Sequence, residues 1–332
     1  MFIFVVISLS LLCSAIAHNC SWNYRFDSID NHFNIVYPDK NAVYFGMIIP
    51  SNSTSFNVIS QYTHPIASYF SIQIYELGGI AYHYNDAELL GSLSALKYPG
   101  MQFALNIDLN RTLSYFALFR IYAPLANETS PFYYWAGIPP RTIIDNREYQ
   151  LCDIDYEQQG NIYTNFTHNI NPVTGTVCMK NDEFVFMEAP SGSLVNADAN
   201  YMIACIQSGK SYRVTIQLPV IMCSLDRAHP HIDEYYDLRY ASLSIISTVA
   251  PRPTITSYQL PCNESQYTVV IEVGEEVTQP GLLYRQLLPD PAFPYSIAVA
   301  KSRCFDYVNN VYDDICIRHS MGAYYPNITL SE

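Results

Sequence analysis

The stretch Tyr69-Phe-Ser-Ile-Gln-Ile-Tyr75 decides the fold class, because its apolar and polar side chains alternate with a period of two. One face takes Phe and Ile, and the other takes Tyr, Ser and Gln. Residues 212–218 and 267–273 repeat this pattern. Such β-branched and aromatic residues are typical of strands, and Pro, Gly, Asn and Ser separate the stretches. We therefore predict an all-β protein, with one short helix expected within residues 87–96.

Two halves of the chain carry similar segments in the same order. Five segments of the first half recur 156–171 residues later. One such set of strands suffices for a closed β-sandwich with its own core. We therefore predict two tandem antiparallel β-sandwich domains, residues 18–190 and 191–332, related by internal duplication. The matched segments are Asn41–Met47 with Asp198–Ala204, Phe56–Tyr62 with Tyr212–Leu218, Ser68–Ile74 with Arg239–Ile245, Phe103–Leu109 with Tyr267–Val273, and Phe119–Pro124 with Tyr284–Pro289.

Residues 1–17 predict a signal peptide. The apolar run over residues 2–12 is followed by Ala15 and Ala17, small residues of the kind that signal peptidase prefers. The run is shorter than the roughly 20 residues that a membrane span needs, although an uncleaved anchor is the alternative. No basic residue precedes the run, which departs from the usual pattern. We expect secretion or display at the cell surface, with no membrane span after signal removal.

The cysteines after the signal predict disulfide bonds. They are even in number, and neither a CxxC motif nor a zinc-like spacing occurs. Nearness in sequence favours the pairs Cys304–Cys316 and Cys152–Cys178. Elimination then leaves Cys205–Cys223 and Cys20–Cys262. The disulfide candidates are Cys20, Cys152, Cys178, Cys205, Cys223, Cys262, Cys304 and Cys316.

Asn-x-Ser/Thr triplets without Pro indicate N-glycosylation. One triplet carries little information, but several in a chain with a signal peptide and paired cysteines support one another. The candidate sites are Asn19, Asn52, Asn110, Asn127, Asn165, Asn263 and Asn327.

The composition excludes two classes of protein. The chain has 17 basic and 30 acidic residues, a net charge of −13, which disfavours binding to nucleic acid. Its apolar fraction is 49 % and its charged fraction only 14 %, whereas disordered chains combine low hydrophobicity with high charge.

Arg120 and Arg285 occupy matching positions in the two halves, each within an apolar strand. Asp108 and Glu272, on the preceding strand of each half, are the expected partners. The alternative is a pair of anion-binding groups in clefts. We favour a structural role, because recurrence in both halves suits a scaffold better than a site.

Four segments resemble a family of uncharacterised exported proteins with two tandem domains of unknown function. The resemblance covers nearly the whole chain after the signal, and it implies a pair of jelly-roll-like β-sandwiches but no activity. Two positions depart from the family: Ala241 stands where it tends to have Trp, and Ser244 where it tends to have Cys. The segments are Asn41–Tyr44, Ala67–Tyr75, Phe119–Pro124 with Gly137–Pro140, and Leu283–Pro289 with Met321–Pro326.

The chain contains no catalytic motif of the GxSxG, HExxH, P-loop or GxGxxG type. His229 and His231, beside Asp233 and Glu234, are weak metal candidates. A solvated acidic loop is the simpler interpretation. We expect no metal and no cofactor.

Aromatic clusters could stack on sugar rings. Tyr133, Tyr134 and Trp135 are the candidate ligand contacts, and the doublets 235–236 and 324–325 are similar. The alternative is that Tyr is simply the preferred half-buried strand residue of this chain, which has 29 of them.

These features predict an exported, disulfide-bonded, N-glycosylated protein without enzymatic activity, serving as a surface, matrix or particle component. Its partners would be glycans or other surface proteins. The alternative is a hydrolase or metal-dependent enzyme with a site in the groove between the domains.

Overall fold

The chain forms two compact units. The computed structural model describes residues 20–27, 39, 41–60, 67–76, 79–92, 102–124, 139–152, 182–187, 196–222, 235–247, 254–262, 264–309 and 311–331. The described residues of the first unit fall within 1–33, 42–172 and 191–197, and those of the second within 34–41, 173–190 and 198–332. The predicted signal peptide lies outside the described residues, and the predicted division at 190/191 stays a prediction.

The first unit contains two five-stranded sheets. Its elements are β1 (Cys20–Ser21), β2 (Tyr24–Asp27), β3 (Ala42–Ile49), β4 (Ser55–Ile59), β5 (Ala67–Glu76), β6 (Gly79–Asn85), α1 (Asp86–Leu90), β7 (Ala104–Asp108), β8 (Tyr115–Pro124), β9 (Arg141–Ile144) and β10 (Arg147–Leu151). One sheet has the order β2-β3-β8-β5-β6 and the other β1-β10-β9-β4-β7. Neighbouring strands are antiparallel except β1 with β10, which run parallel.

The second unit repeats this plan. Its elements are β11 (Phe184–Phe186), β12 (Ala199–Cys205), β13 (Ser211–Gln217), β14 (Leu238–Ser247), β15 (Thr254–Gln259), β16 (Gln266–Glu272), β17 (Pro280–Pro289), α2 (Ile297–Cys304), β18 (Phe305–Asp306), β19 (Val311–Tyr312), α3 (Asp314–Met321) and β20 (Asn327–Ser331). One sheet has the order β11-β12-β17-β14-β15, a second has the order β16-β13-β20, and β18 pairs with β19.

The matched sequence segments occupy corresponding strands of the two units. β3, β8, β5 and β6 follow one another in one sheet as β12, β17, β14 and β15 do in the other. β4 lies between β7 and β9, as β13 lies between β16 and β20. The all-β sandwich architecture is therefore present twice with one strand order. Internal duplication as the origin of this repeat stays a prediction.

Each unit has an apolar core between its sheets. In the first unit Trp22 contacts Phe56 of one sheet and Phe119 of the other, with ring centroids 6.5 Å and 6.1 Å apart. In the second unit Val214 of β13 belongs to the same buried cluster as Leu243 of β14. These contacts bury apolar side-chain surface, and the removal of that surface from water favours folding.

β5 and β14 differ from the other strands in burial. Every residue of β14 is buried, and so is every residue of β5 except the last. By contrast, β4 and β7 alternate between buried and more exposed residues, as one-sided strands do. The polar side chains of β5 and β14 therefore need hydrogen-bond partners inside the protein.

The short helix α1 lies at the start of the predicted helical stretch. Asn85 and Glu88 form a capping box at its beginning, and Gly91 ends it in the left-handed conformation, with φ 78°. Helices α2 and α3 were not predicted from the sequence. Each has only eight residues, and Ser296 and Asp313 cap their first turns. None of the helices in the described ranges is both long enough and apolar enough to span a bilayer.

Candidate functional site

A buried ion pair lies at the centre of the second unit. The Nη1 atom of Arg285 is 2.7 Å from Oδ2 of Asp39, and the two side chains are 1 % and 0 % exposed. The same carboxylate oxygen accepts hydrogen bonds from the hydroxyls of Tyr240, at 2.8 Å, and Ser242. Three donors thus converge on one carboxylate oxygen, which is how a buried charge is stabilised in the absence of water.

The register of the sheet brings these donors together. Ser242 of β14 lies directly opposite Arg285 of β17, and Tyr201 of β12 lies opposite it on the other side. The guanidinium carbon of Arg285 lies 5.4 Å from the ring centroid of Tyr201, at cation–π distance. Burial, and next the negative charge of Asp39, raise the pKa of Tyr240 well above its usual value. Its phenol therefore remains a donor.

The first unit has a corresponding cluster around Arg120 of β8, which is 2 % exposed. Its guanidinium donates to Oε1 of Gln73 and to the hydroxyl of Tyr75. The amide of Gln73 and the hydroxyl of Tyr69 in turn donate to Oδ1 of Asn196, over 3.1 Å and 3.2 Å. Burial by itself lowers the pKa of Arg120, but the neighbouring tyrosines outweigh it and the pKa is raised.

The two clusters occupy matching positions. Asn196 lies three residues before Ala199, where β12 begins, and Asp39 lies three residues before Ala42, where β3 begins. The acceptor is therefore a neutral amide in the first unit and a carboxylate in the second. The matched positions are Arg120 with Arg285, Tyr69 with Tyr240, Ser71 with Ser242, and Asn196 with Asp39.

The predicted acidic partners of the two arginines are wrong. Asp108 and Glu272 are exposed and lie on the other sheet of their units. Asp39 and Asn196 were not recognised from the sequence, although each precedes a matched strand by the same number of residues. That equal offset is the signal that could have found them. The fully buried arginines offer no surface to a substrate, in agreement with a structural role.

The metal candidates His229 and His231 lie outside the described residues. Within the described part of the chain, no group of three or more His, Cys, Asp or Glu side chains is arranged to hold a metal ion. The predicted ligand contacts Tyr133, Tyr134 and Trp135 also lie outside it.

A different aromatic cluster lies at the surface of the second unit. The rings of Tyr295 and Tyr324 stack with centroids 5.4 Å apart and an interplanar angle of 26°. Buried Phe293 packs edge-on against Tyr324 at 5.2 Å. Tyr235 is 64 % exposed, and its hydroxyl donates to Oδ1 of Asp237 at 2.5 Å. We call Tyr235, Tyr295 and Tyr324 the tyrosine platform.

Asp237 and Asp290 make the surroundings of the Tyr235 phenol acidic. The hydrogen bond to Asp237 is the main cause that raises the pKa of Tyr235 to about 12. Burial, the charges of Asp237 and Asp290 and the phenol of Tyr324 contribute smaller parts of the same increase in pKa. The phenol of Tyr235 therefore stays protonated at neutral pH, in an acidic part of the surface.

Three predicted glycosylation sites are described, and all three are exposed. Asn52 lies in the turn before β4, Asn110 follows β7, and Asn327 begins β20. Asn19, Asn127, Asn165 and Asn263 lie outside the described residues.

The disulfides confirm one predicted pair and correct the others. Cys304 and Cys316 are bonded, as predicted. Cys20 is bonded to Cys152, so the predicted pairs Cys152–Cys178 and Cys20–Cys262 are wrong. The cause is the register of the sheet: β1 lies beside β10 with Cys20 opposite Gln150, so residues 132 apart in sequence become neighbours.

The remaining cysteines are only partly described. Cys205 is buried in β12 with a free thiol, so the predicted pair with Cys223 is wrong. The core position of Cys205 suits a small apolar side chain. Cys262 is disulfide-bonded, and its partner lies outside the described residues. Cys178 and Cys223 also lie outside them.

Comparisons with known proteins support the fold only. No protein-family model matches the chain, and no curated protein matches it in sequence. It is similar to the crystal structure of an uncharacterised protein from Burkholderia cenocepacia, with TM-score 0.53 and 7 % identity, covering 99 % of this chain and 87 % of that one. At this identity the similarity shows a shared fold and carries no activity.

Other solved structures match with lower TM-scores. A protein from Vibrio parahaemolyticus matches with TM-score 0.39 and 8 % identity, covering 89 % of this chain and 90 % of that one. An oxalate decarboxylase from Bacillus subtilis matches with TM-score 0.20 and 9 % identity, covering 93 % and 89 %. Neither is close enough to support a function here. The resemblance to a family of uncharacterised exported proteins stays a prediction.

Proposed function

We propose that the chain is an exported, N-glycosylated protein without enzymatic activity that serves as a component of a surface, matrix or particle. The observation that carries this proposal is the pair of disulfides, Cys20–Cys152 and Cys304–Cys316, one within each unit. Disulfides of this kind persist in oxidising compartments, whereas reduced thiols predominate in the cytosol.

The positions of the candidate glycosylation sites support the proposal. Among the described strands, β7 and β20 lie at sheet edges; Asn110 lies two residues after β7, and Asn327 begins β20. An edge strand presents unpaired backbone groups that invite pairing with another chain, and a bulky sugar beside it prevents that contact. Glycans at these positions would keep the exported protein from aggregating.

The buried clusters also suit a scaffold. Arg120 and Arg285, two buried charged groups of the sheets, bind to side chains of their own unit. They stabilise two β-sandwiches rather than present reactive groups. Persistence outside the cell, where no chaperones rescue unfolded protein, is the property that such a scaffold provides.

The proposal is tested by expressing the full chain in a eukaryotic secretory host. We expect the protein in the medium, beginning near residue 18 and losing mass on treatment with a peptide N-glycosidase. Peptide mapping without reduction should find Cys20 joined to Cys152. Retention in the cytosol with free thiols, or secretion without any attached glycan, would contradict the proposal.

A further inference from the structure

The tyrosine platform has the composition of a sugar-binding surface. Tyr235 is 64 % and Tyr295 is 43 % exposed, so both rings offer apolar area to solvent. Exposed tyrosines combine a flat apolar body with a polar tip, which suits the C–H face and the hydroxyls of a pyranose ring. Phe293, which is 3 % exposed, anchors the stacked pair to the core.

The backbone holds the platform in place. The N–H of Asp290 donates to the carbonyl of Asp237 at 2.8 Å, and the N–H of Phe293 donates to the carbonyl of Asp290 at 2.9 Å. The carboxylate of Asp237 accepts from the N–H of Val220 at 2.8 Å as well as from Tyr235. The ring of Tyr235 is thus oriented before a ligand arrives, which reduces the entropic cost of binding.

The platform offers acceptors on Asp290, whereas the hydroxyl of Tyr295, a residue that is 43 % exposed, can donate as well as accept. Oδ1 of Asp290 accepts from the N–H of Ala292 at 2.7 Å, and among the described residues no donor binds its Oδ2. The hydroxyl oxygen of Tyr235 donates to Asp237 and keeps a lone pair for a further donor. Hydroxyl groups, which both donate and accept, therefore suit these atoms, and the two carboxylates repel anions.

We propose that the tyrosine platform binds a neutral saccharide, with sugar rings stacked on Tyr235 and Tyr295 and a sugar hydroxyl donating to Asp290. This inference rests on the proposed export and adds a saccharide ligand to it. It assigns the binding to residues of the second unit and not to the contacts predicted from the sequence, Tyr133, Tyr134 and Trp135. Three segments form the site: the one before β14, the one after β17 and the one before β20.

The test is binding of the secreted full chain, stripped of its own N-glycans, to an array of neutral gluco-, galacto- and manno-configured oligosaccharides. Sialylated and sulfated oligosaccharides on the same array serve as anionic probes. We expect binding to at least one neutral series, and binding weakened about tenfold or more by Tyr235→Ala and by Tyr295→Ala. Tyr307→Ala is the matched control, because that ring is 83 % exposed and lies outside the platform.

A Tyr235→Phe variant keeps the ring and removes the hydrogen bond to Asp237, so it should bind more strongly than Tyr235→Ala. Hydrogen exchange of the β14 amides in each variant verifies that the second unit remains folded. The inference is overturned if no neutral sugar binds at millimolar concentration, if anionic sugars bind better, or if both alanine variants bind like Tyr307→Ala. Secretion and glycan occupancy are recorded in the same preparations, so a secreted, glycosylated protein that binds no sugar overturns this inference and leaves the proposed export intact.

Discussion

Asp39 and Arg285 form a buried ion pair, and its contribution to the stability of the second unit depends on the presence of both partners. Bringing two charges out of water is costly, and their attraction offsets that cost only when the remaining hydrogen-bond positions are filled. Tyr240 and Ser242 fill them on the carboxylate. Removal of one partner leaves the other charge buried and unpaired, which is the most destabilising change available in this cluster.

Asp39→Ala should lower the free energy of unfolding of the second unit by about 3–5 kcal/mol, because Arg285 remains buried without its carboxylate. Asp39→Asn should cost less, because it keeps an amide oxygen of the kind that Asn196 supplies in the first unit. Native-state hydrogen exchange of the β14 and β17 amides measures the effect.

The control for this prediction is Glu183→Gln, which breaks an ion pair with Arg318 whose side chains are 33 % and 52 % exposed. An exposed pair contributes less than about 1 kcal/mol. Equal effects of Asp39→Ala and Glu183→Gln on the exchange of these amides would show that burial of the pair has no energetic consequence.

Buried tyrosines predict a loss of stability in alkali. Burial raises the pKa of Tyr284 to about 12, although the hydrogen bond from Gln286 opposes this, and burial raises that of Tyr240 as well. Since the unfolded pKa is about 10, their stabilising contribution is complete below pH 10 and falls as the pH rises toward the folded values.

Urea unfolding at several pH values between 9 and 12 tests this prediction. Each raised tyrosine should contribute a slope of up to about 1.4 kcal/mol per pH unit above pH 10. Tyr284→Phe should reduce that slope, because one of the groups no longer ionises. Identical slopes for the parent protein and Tyr284→Phe would contradict the assignment.

At the scale of elements, the strands could be predicted from the sequence, but whether their polar faces are buried or exposed could not. Alternation identified residues 69–75, and β5 indeed covers them. The polar face of that stretch is nevertheless buried. Its side chains Gln73 and Tyr69 donate hydrogen bonds to Asn196. A period of two is the same whether the polar face meets water or a buried acceptor, so periodicity alone cannot separate the two cases.

The short helices show a similar limit. Helix α1 has a capping box that the sequence displays, with Asn85 followed three residues later by Glu88. Helices α2 and α3 bury Ile297 and Ile317 among few other apolar residues, and two turns are too short for a 3.6-residue period to stand out.

The edge strands lead to a prediction about glycans, provided that the sites are occupied as proposed. Asn110→Gln combined with Asn327→Gln should raise the fraction of dimers and larger aggregates, because β7 and β20 lose the sugars beside their unpaired edges. Size-exclusion chromatography with light scattering measures that fraction.

Asn52→Gln is the matched control, because Asn52 lies before β4, a strand paired on both sides. It removes one glycan without uncovering an edge. If Asn52→Gln aggregates as much as the double variant, the loss of sugar in general, and not the edges, is responsible.

At the scale of the whole molecule, each unit is built from segments that are not consecutive in the sequence. The second unit includes Asp39 and Asn41, which precede β3 in the sequence although β3 belongs to the first unit. The partner of Arg285 thus lies 246 residues away along the chain. No local pattern links Arg285 to Asp39, so the only sequence signal for the acceptors is the equal offset of Asp39 and Asn196 before β3 and β12.

A fragment comprising residues 182–332, which keeps β11, should fold poorly, because it contains Arg285 without Asp39. Arg285→Met in the same fragment should recover part of the soluble, protected protein, since the buried charge is gone. The yield of soluble fragment and its hydrogen exchange are the measurements. A fragment that is as stable with Arg285 as with Met at that position would contradict the requirement for Asp39.

The two described disulfides have a consequence for the order of synthesis. After residue 17, Cys20 and Cys152 are the first two cysteines of the chain, and Cys304 and Cys316 are the last two. A chain emerges from the ribosome N-terminus first. In both pairs, the next cysteine to emerge after the first one is its disulfide partner. Oxidation in order of emergence therefore produces both crosslinks directly, without later reshuffling by thiol–disulfide exchange.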